Sequence, residues 1–417
     1  MAIDQPSRDD LMHERSPVPG ISRNVWWLGL TSFFTDISSE MLYPLVPIFV
    51  TVTLGAPAVA VGVIEGAAEA TASFLRLFSG WLSDRLGRRR GIVIAGYALS
   101  AAAKPLLAAA GSWPVVLAAR VADRVGKGVR TSARDALLAD SASPETRGRA
   151  FGFHRSADTM GAVLGPLLSI PLLAAAHNQI RPLFLLSIVP AGCGLAALFL
   201  VRDRPAAARH VSLPRLSYTA LDAPFRRYLV VLLIFALGNS SDAFIILRGR
   251  QLGLSLTGVI LAYAAYNFVY SLSAYPAGIL SDRIGRRPMV VAGFAFFAAV
   301  YLGFAAAGAP WQFWSLLAVY GLYMGLTDGL TRAMAADLSA PEVRGTALGW
   351  VQMVSGAGAL AASLVAGALW TEVGPAAPFA YGATLAALAA ACLAFWTVGP
   401  AAGPQPAGPR SSTISGG

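Results

Sequence analysis

Met289–Ala307 and Tyr381–Val398 contain no charged residue, and each nearly reaches the ~20 residues a helix needs to cross a bilayer. Similar apolar stretches recur along the chain, and only 13% of its 417 residues are charged, about half the share usual in soluble domains. The sequence therefore predicts an all-α membrane protein. Twelve helices are expected, at about 24–52, 58–79, 91–111, 114–138, 148–175, 180–201, 224–247, 255–280, 288–307, 311–335, 346–369 and 379–398.

Hydropathy alone would miss the fourth. Arg120, Asp123, Arg124, Lys127, Arg130, Arg134 and Asp135 all lie in Arg120–Asp140, and at about 100° per residue they share roughly a 140° arc of one helix. An internal repeat decides where that helix sits. GWLSDRLGRRR at Gly80–Arg90 recurs as GILSDRIGRRP at Gly278–Pro288, and ADSASPETRGRAFG at Ala139–Gly152 recurs as ADLSAPEVRGTALG at Ala336–Gly349. Two matches at nearly one shift indicate two homologous halves. The counterpart of Arg120–Asp140 is then Leu317–Asp337, a mostly apolar span. The charged stretch is expected to span too, with its polar face toward protein or water rather than lipid.

The halves are read as six-helix bundles at 21–201 and 224–400, joined by a polar, proline-containing linker at 202–223. Residues 1–20 form a polar N-terminal tail without the apolar core of a signal peptide, and 401–417 a disordered Gly/Pro/Ser-rich tail. The net charge of +10 is spread over short loops and buried helices, so no nucleic-acid partner is expected. Cys193 and Cys392 each sit in an apolar helix and indicate neither a disulfide framework nor a metal site. Arginines crowd one set of loops, at Arg85, Arg88, Arg89, Arg90, Arg147, Arg149, the linker, Arg283, Arg286, Arg287 and Arg344; the other side offers Arg181, Arg248 and Arg250. The positive-inside rule puts both termini in the cytoplasm, and an inner (plasma) membrane location is expected.

Twelve spans in two repeated halves, with GxLxDRxGRR after the second and eighth, resemble the major facilitator superfamily over about 20–400. The resemblance implies a 12-helix fold of two pseudo-symmetric bundles around a central cavity, working by alternating access as a monomer, with a small-molecule substrate, an ion gradient as driving force and no cofactor. It assigns Gly80, Asp84, Arg85, Gly87, Arg88, Gly278, Asp282, Arg283, Gly285 and Arg286 to a cytoplasmic gate. The glycines also suit close helix approach and tight turns, and the aspartates suit a helix N-terminus or an arginine partner. Positive-inside topology by itself accounts for Arg89 and Arg90. Gly161, Gly165 and Pro166 resemble the antiporter motif of drug exporters, although Ser169 and Ile170 stand where that motif continues with glycines; GxxxG is also a general packing device in membrane helices. Arg120 stands where many antiporters of the superfamily carry an arginine linked to proton coupling. The longer DRxGKGxR…RDAL…AD pattern resembles a subgroup of exporters, some tied to nickel or other resistance.

Ionisable residues concentrate in the first half. Asp36 and Glu40, Glu65 and Glu69, and His154 and Asp158 are each four apart, hence on one helix face. A charge at mid-bilayer costs about 2.5–3.5 kcal/mol even on a lenient scale, so most of these groups must pair, Asp123 with Arg120 or Lys127 along the fourth helix, and fourth-helix cations with carboxylates of helices 1, 2 and 5. Asp36, Glu40, Asp158 and His154 are the proton-coupling candidates, because a carrier needs a carboxylate or histidine whose protonation competes with substrate. Arg120, Arg124, Lys127, Glu65, Asp242, Asn267 and Asp328 are the substrate-cavity candidates.

The function expected is secondary transport, with proton-coupled efflux of a drug, organic anion or metabolite ahead of export of a metal cation or chelate, and ahead of uptake. A non-transporting receptor on the same fold is the remote alternative. No nucleotide loop, HExxH, GxSxG or Cys/His cluster is present, so no enzyme is expected.

Overall fold

In the computed structural model of the chain, which describes residues 17–18, 21–86, 89–143, 146–202, 218, 221–339 and 344–395, helices outrun the apolar segments that signalled them. The helix expected to end at 79 continues to Leu86, and the one expected over 255–280 runs to Ile284. Hydropathy marks the thickness of the membrane, whereas backbone hydrogen bonding carries each helix on into the polar loop.

The helices are α1 (Arg23–Glu40), α2 (Val46–Ile48), α3 (Ala58–Leu86), α4 (Arg89–Ala108), α5 (Trp113–Asp140), α6 (Arg147–Ala175), α7 (Arg181–Leu186) and α8 (Ile188–Phe199) in the first half. The second half holds α9 (Ala223–Gly238), α10 (Ala243–Gln251), α11 (Leu256–Ile284), α12 (Arg286–Ala306), α13 (Pro310–Asp337), α14 (Arg344–Glu372) and α15 (Ala377–Phe395). These make the twelve expected passes, because three passes are broken. No strand occurs among the described residues. Nine described stretches are long and apolar enough to cross a membrane by length and composition; the charged α5 is not one of them, yet it is a continuous helix packed between α3 and α4.

The three breaks correct the expectation of continuous helices. In the first pass α1 stops at Glu40 and is followed by a turn, α2 and a π-helical turn at Phe49–Thr53. Pro44 and Pro47 lack the N–H that would continue the ladder, and the Pro44 ring meets the carbonyl four residues back. Pro190 acts likewise on Leu186, where α7 ends. Between α9 and α10 the breakers are polar: the Ala243 N–H donates to Ser241 Oγ (3.2 Å) and the Ser241 N–H to Ser363 Oγ (3.2 Å), bonds that compete with the helix.

Glycines set the packing distances. A Cβ on Gly161 would lie 2.5 Å from the Phe33 carbonyl, and one on Gly165 2.7 Å from that of Ile37, so this GxxxG lets α6 lie directly on α1. Across the halves, α3 packs on α14, α6 on α11 and α2 on α10. The turn at Gly285, with φ +95°, requires the glycine read there from sequence.

We call the end where α1 begins and α15 stops the terminal end. There the halves repeat a pair of bonds. Arg89 joins Asp140, and Arg286 joins Asp337 at 2.8 Å. Arg90 donates to the last carbonyls of α8, at Phe199 (2.7 Å), and Arg287 to those of α15, at Leu393 (3.1 Å) and Ala394 (3.0 Å). Arg89 and Arg90, which topology alone seemed to explain, thus tie α4 to α5 and α8 through an ion pair and helix-end carbonyls. By these bonds Arg286 matches Arg89, one register away from the Arg88 match of the ungapped motif. The side chains of Asp84, Asp282 and Asp328, the surroundings of Gly80 and Gly278, and all of Gly87 and Arg88 lie outside the described residues, as do most of both expected tails and of the linker. Arg85 and Arg283 are exposed.

A candidate solute cavity between the halves

Glu65, Glu69, Ser73 and Arg76 recur every three or four residues along α3, so one face of that helix presents them all in one direction. They form a wall of a cavity of about 410 Å³ between the two halves, within the usual size range for a small-molecule site. Arg124 of α5 and Tyr43 of the α1–α2 turn complete the first-half wall. The second half supplies Phe235, the broken segment Asn239–Asp242, Phe294 of α12, Tyr320, Tyr323 and Arg332 of α13, and Gln352 and Ser355 of α14. The break between α9 and α10 therefore lines the cavity, a setting in which unwound backbone is readily accommodated in a membrane.

The charges around the cavity are largely engaged. Arg120 grips Glu65 with two bonds, Nε to Oε1 at 3.0 Å and Nη2 to Oε2 at 2.8 Å, both groups being buried at 8% and 5% exposure. Asp123 stands 3.9 Å from the same guanidinium. The Tyr320 hydroxyl donates to Asp242 at 2.8 Å, and Arg76 lies 3.8 Å from Glu69. Arg124 is in no ion pair within 4.0 Å among the described residues, and its buried Nε has no hydrogen-bond partner.

Of the cavity residues expected from sequence, Glu65, Arg124 and Asp242 line it, whereas Arg120, Lys127 and Asn267 do not. Arg120 is behind the wall, bound to Glu65. Lys127 sits among Arg124, Asp36, Arg76 and Glu69. Asn267 lies where the halves meet, and its Nδ2 donates to the Ala162 carbonyl at 3.3 Å. That carbonyl is free because Pro166, four residues on, has no N–H to give it. The proline of the α6 motif thereby exposes an acceptor that the other half fills.

Of the four proton-coupling candidates, three come together between α1 and α6. Asp36 of α1 and Asp158 of α6 lie close together, with the Asp36 Cβ 3.0 Å from where a Cβ on Gly161 would stand. Asp158 also accepts from Ser32 and lies 4.0 Å from Arg155. His154 is buried nearby, close to Arg134 and Asp158, with its Nε2 unpartnered. Glu40 is elsewhere: it accepts the Tyr263 hydroxyl at 2.8 Å, a bond between the halves.

This contact belongs to a seal at the end opposite the termini, where Tyr43 stacks on Tyr263 at 5.3 Å and α2 packs on α10. Toward the terminal end the lining opens, with Arg332 exposed and the Glu69 side chain 44% exposed. The sequence reading missed the tyrosines, Lys104 and the Asn239–Ser241 lining. Lys104 is buried at 5% exposure in a minor pocket with Arg120 and Asp123, and its isolation within an apolar helix was the available signal. The tyrosines gave none, because Tyr fits an apolar helix without comment.

Comparison with known proteins gives a consistent result. The profile of the Major Facilitator Superfamily matches residues 28–247 and again 228–415. An uncharacterized MFS-type transporter of Methanocaldococcus jannaschii is 34% identical, covering 90% of this chain and 95% of its own length. The multi-drug resistance efflux pump PmrA of Streptococcus pneumoniae is 27% identical, covering 73% and 76%. In fold, the crystal structure of the nucleoside transporter NupG superposes with a TM-score of 0.72 at 12% identity, over 89% of this chain and 98% of that one.

Proposed function

This chain belongs to the Major Facilitator Superfamily, and from that premise we propose that it is a proton-driven secondary transporter exporting a small organic solute across the inner membrane by alternating access. The observation that carries this reading is the cavity between the halves, sealed at one end by the Tyr263–Glu40 bond and the Tyr43–Tyr263 stack and exposed toward the other. With both termini in the cytoplasm, as the arginine-rich loops favour, the cavity faces inward and takes up solute from the cell.

Proton coupling is assigned to the α1–α6 cluster. Two carboxyl groups hydrogen-bond to each other only while they hold a proton between them, and Asp36 and Asp158 lie close together between α1 and α6. Lys127 near Asp36 connects this cluster to Arg124 and the cavity. Export is supported by the glycine-packed α6 motif and by the resemblance to a named efflux pump.

The test is a deletion and overexpression screen across drugs, metals and organic anions, followed by uptake into everted vesicles. Hypersensitivity of the deletion strain, with solute accumulation that a protonophore abolishes and Asp158→Asn uncouples, is the expected outcome. Loss of growth on a nutrient would replace export by uptake, and coupling unchanged in both Asp36→Asn and Asp158→Asn would remove the cluster from the mechanism.

A further inference from the structure

Among the described residues, the lining carboxylates have protein partners within 4.0 Å, and Arg124 of the lining cations is in no such pair. Glu65 is held by Arg120 at 2.8 and 3.0 Å, Asp242 by the Tyr320 hydroxyl at 2.8 Å, and Glu69 stands 3.8 Å from Arg76. Arg124 lines the same cavity with its Nε buried and unbonded. A guanidinium holds its charge at any working pH, and a buried donor left unmade costs free energy. The Arg124 Nε is therefore open to an acceptor brought by a solute. Eleven residues into α5, it lies about 16 Å along the helix from the opposite end, near the middle of the membrane.

The other half of the cavity has a different chemistry. Phe235 stacks on Phe294 with centroids 4.0 Å apart, and Tyr320 on Tyr323 at 5.4 Å, so the wall opposite the cations is a packed aromatic cluster that lines the cavity. Glu69 and Asp123 stand near enough to share the field of Arg124 without closing an ion pair on it, so a cationic solute would meet a guanidinium and carboxylates already engaged. A planar acid would meet a fork-shaped donor suited to a carboxylate and an aromatic wall to pack against.

We infer, building on the transport reading above, that the solute is an aromatic or conjugated carboxylate whose anionic group is taken by Arg124 and whose ring lies against the Phe235–Tyr320 wall. Such a ligand touches both halves at once, which is what lets its binding bias the packing of one half on the other.

Matched probes test this. 2-Naphthoate and N-methylquinolinium are planar, similar in size and opposite in charge, and each is titrated calorimetrically into the purified full-length protein. Naphthoate binds and methylquinolinium does not; Arg124→Gln weakens naphthoate by about 10- to 100-fold while eluting as the same folded species. Arg124→Lys, which keeps the charge but loses the fork, falls between, and it supplies the reading if the glutamine variant does not fold. Binding of methylquinolinium but not naphthoate, binding of neither, or naphthoate affinity untouched in both variants would overturn the inference. The transport reading fails separately, if the folded protein moves no solute of any charge in the vesicle screen.

Discussion

Removing one partner of the Arg120–Glu65 pair strands a charge where the other now satisfies it. Arg120 lies seven residues into α5, about 10 Å along the helix, and neither side chain exceeds 10% exposure. Two charge-assisted bonds, at 2.8 and 3.0 Å, hold the pair. Breaking such a pair from one side costs about 3–5 kcal/mol, whereas replacing both partners by apolar groups of similar volume is often close to neutral. Arg120→Met and Glu65→Leu should each lower the folding equilibrium roughly 150- to 5,000-fold, and the double variant should recover most of that loss. Equilibrium unfolding in mixed micelles, followed by circular dichroism across the wild type, both single variants and the double, measures the cycle. Single variants that each cost less than about 1 kcal/mol, or a double whose loss is the sum of the two, would refute the pairing as the reason for these charges.

Three further outcomes follow from the contacts between helices. Tyr263→Phe deletes the bond to Glu40 and should shift the balance toward the state open at the opposite end by roughly 10-fold, read as faster labelling of a cysteine placed at Val46, buried on the α2 that packs on α10. Pro166→Ala should let α6 satisfy the Ala162 carbonyl internally, so that Asn267→Leu, damaging in the wild type, becomes nearly neutral in that background; thermal unfolding of the four proteins checks it. Gly161→Leu must push α6 away from the Phe33 carbonyl, now 2.5 Å from where its Cβ would stand, and should cost at least 1–3 kcal/mol, seen as loss of monodisperse protein in detergent.

The twelve passes were legible because apolar length and a doubled motif are local signals. The repeat was decisive at α5, whose eight ionisable residues hide it from hydropathy, and Arg120–Asp140 is helical and packed as that comparison predicted. The breaks were less visible. Pro44 and Pro190 could have been read as stops, but the unwinding at Asn239–Asp242 depends on Ser241 finding Ser363 on another helix, which no local rule reports. The pairing of Arg120 with Glu65 was foreseen as a kind of bond between helices four and two, though not as the bond that keeps Arg120 out of the cavity. The Tyr263–Glu40 and Asn267–Ala162 bonds join residues 223 and 105 positions apart across two halves whose faces are fixed only when both bundles have formed. One-residue equivalence in the repeat was misleading too, since letters pair Arg286 with Arg88 while bonds pair it with Arg89.

Alternating access is the centre of this account, and paired spin-label distances test it most directly. Labels at Val52 and Gln251 report the opposite end, and labels at Arg149 and Ile284 the terminal end, after Cys193 and Cys392 are replaced by serine. All four label sites are described residues; Val52 and Ile284 are 66% and 53% exposed. On varying pH and adding a transported solute in lipid nanodiscs, the two distances should move in opposite senses, one shortening as the other lengthens. Two distances that stay fixed, or that lengthen together, would contradict the account.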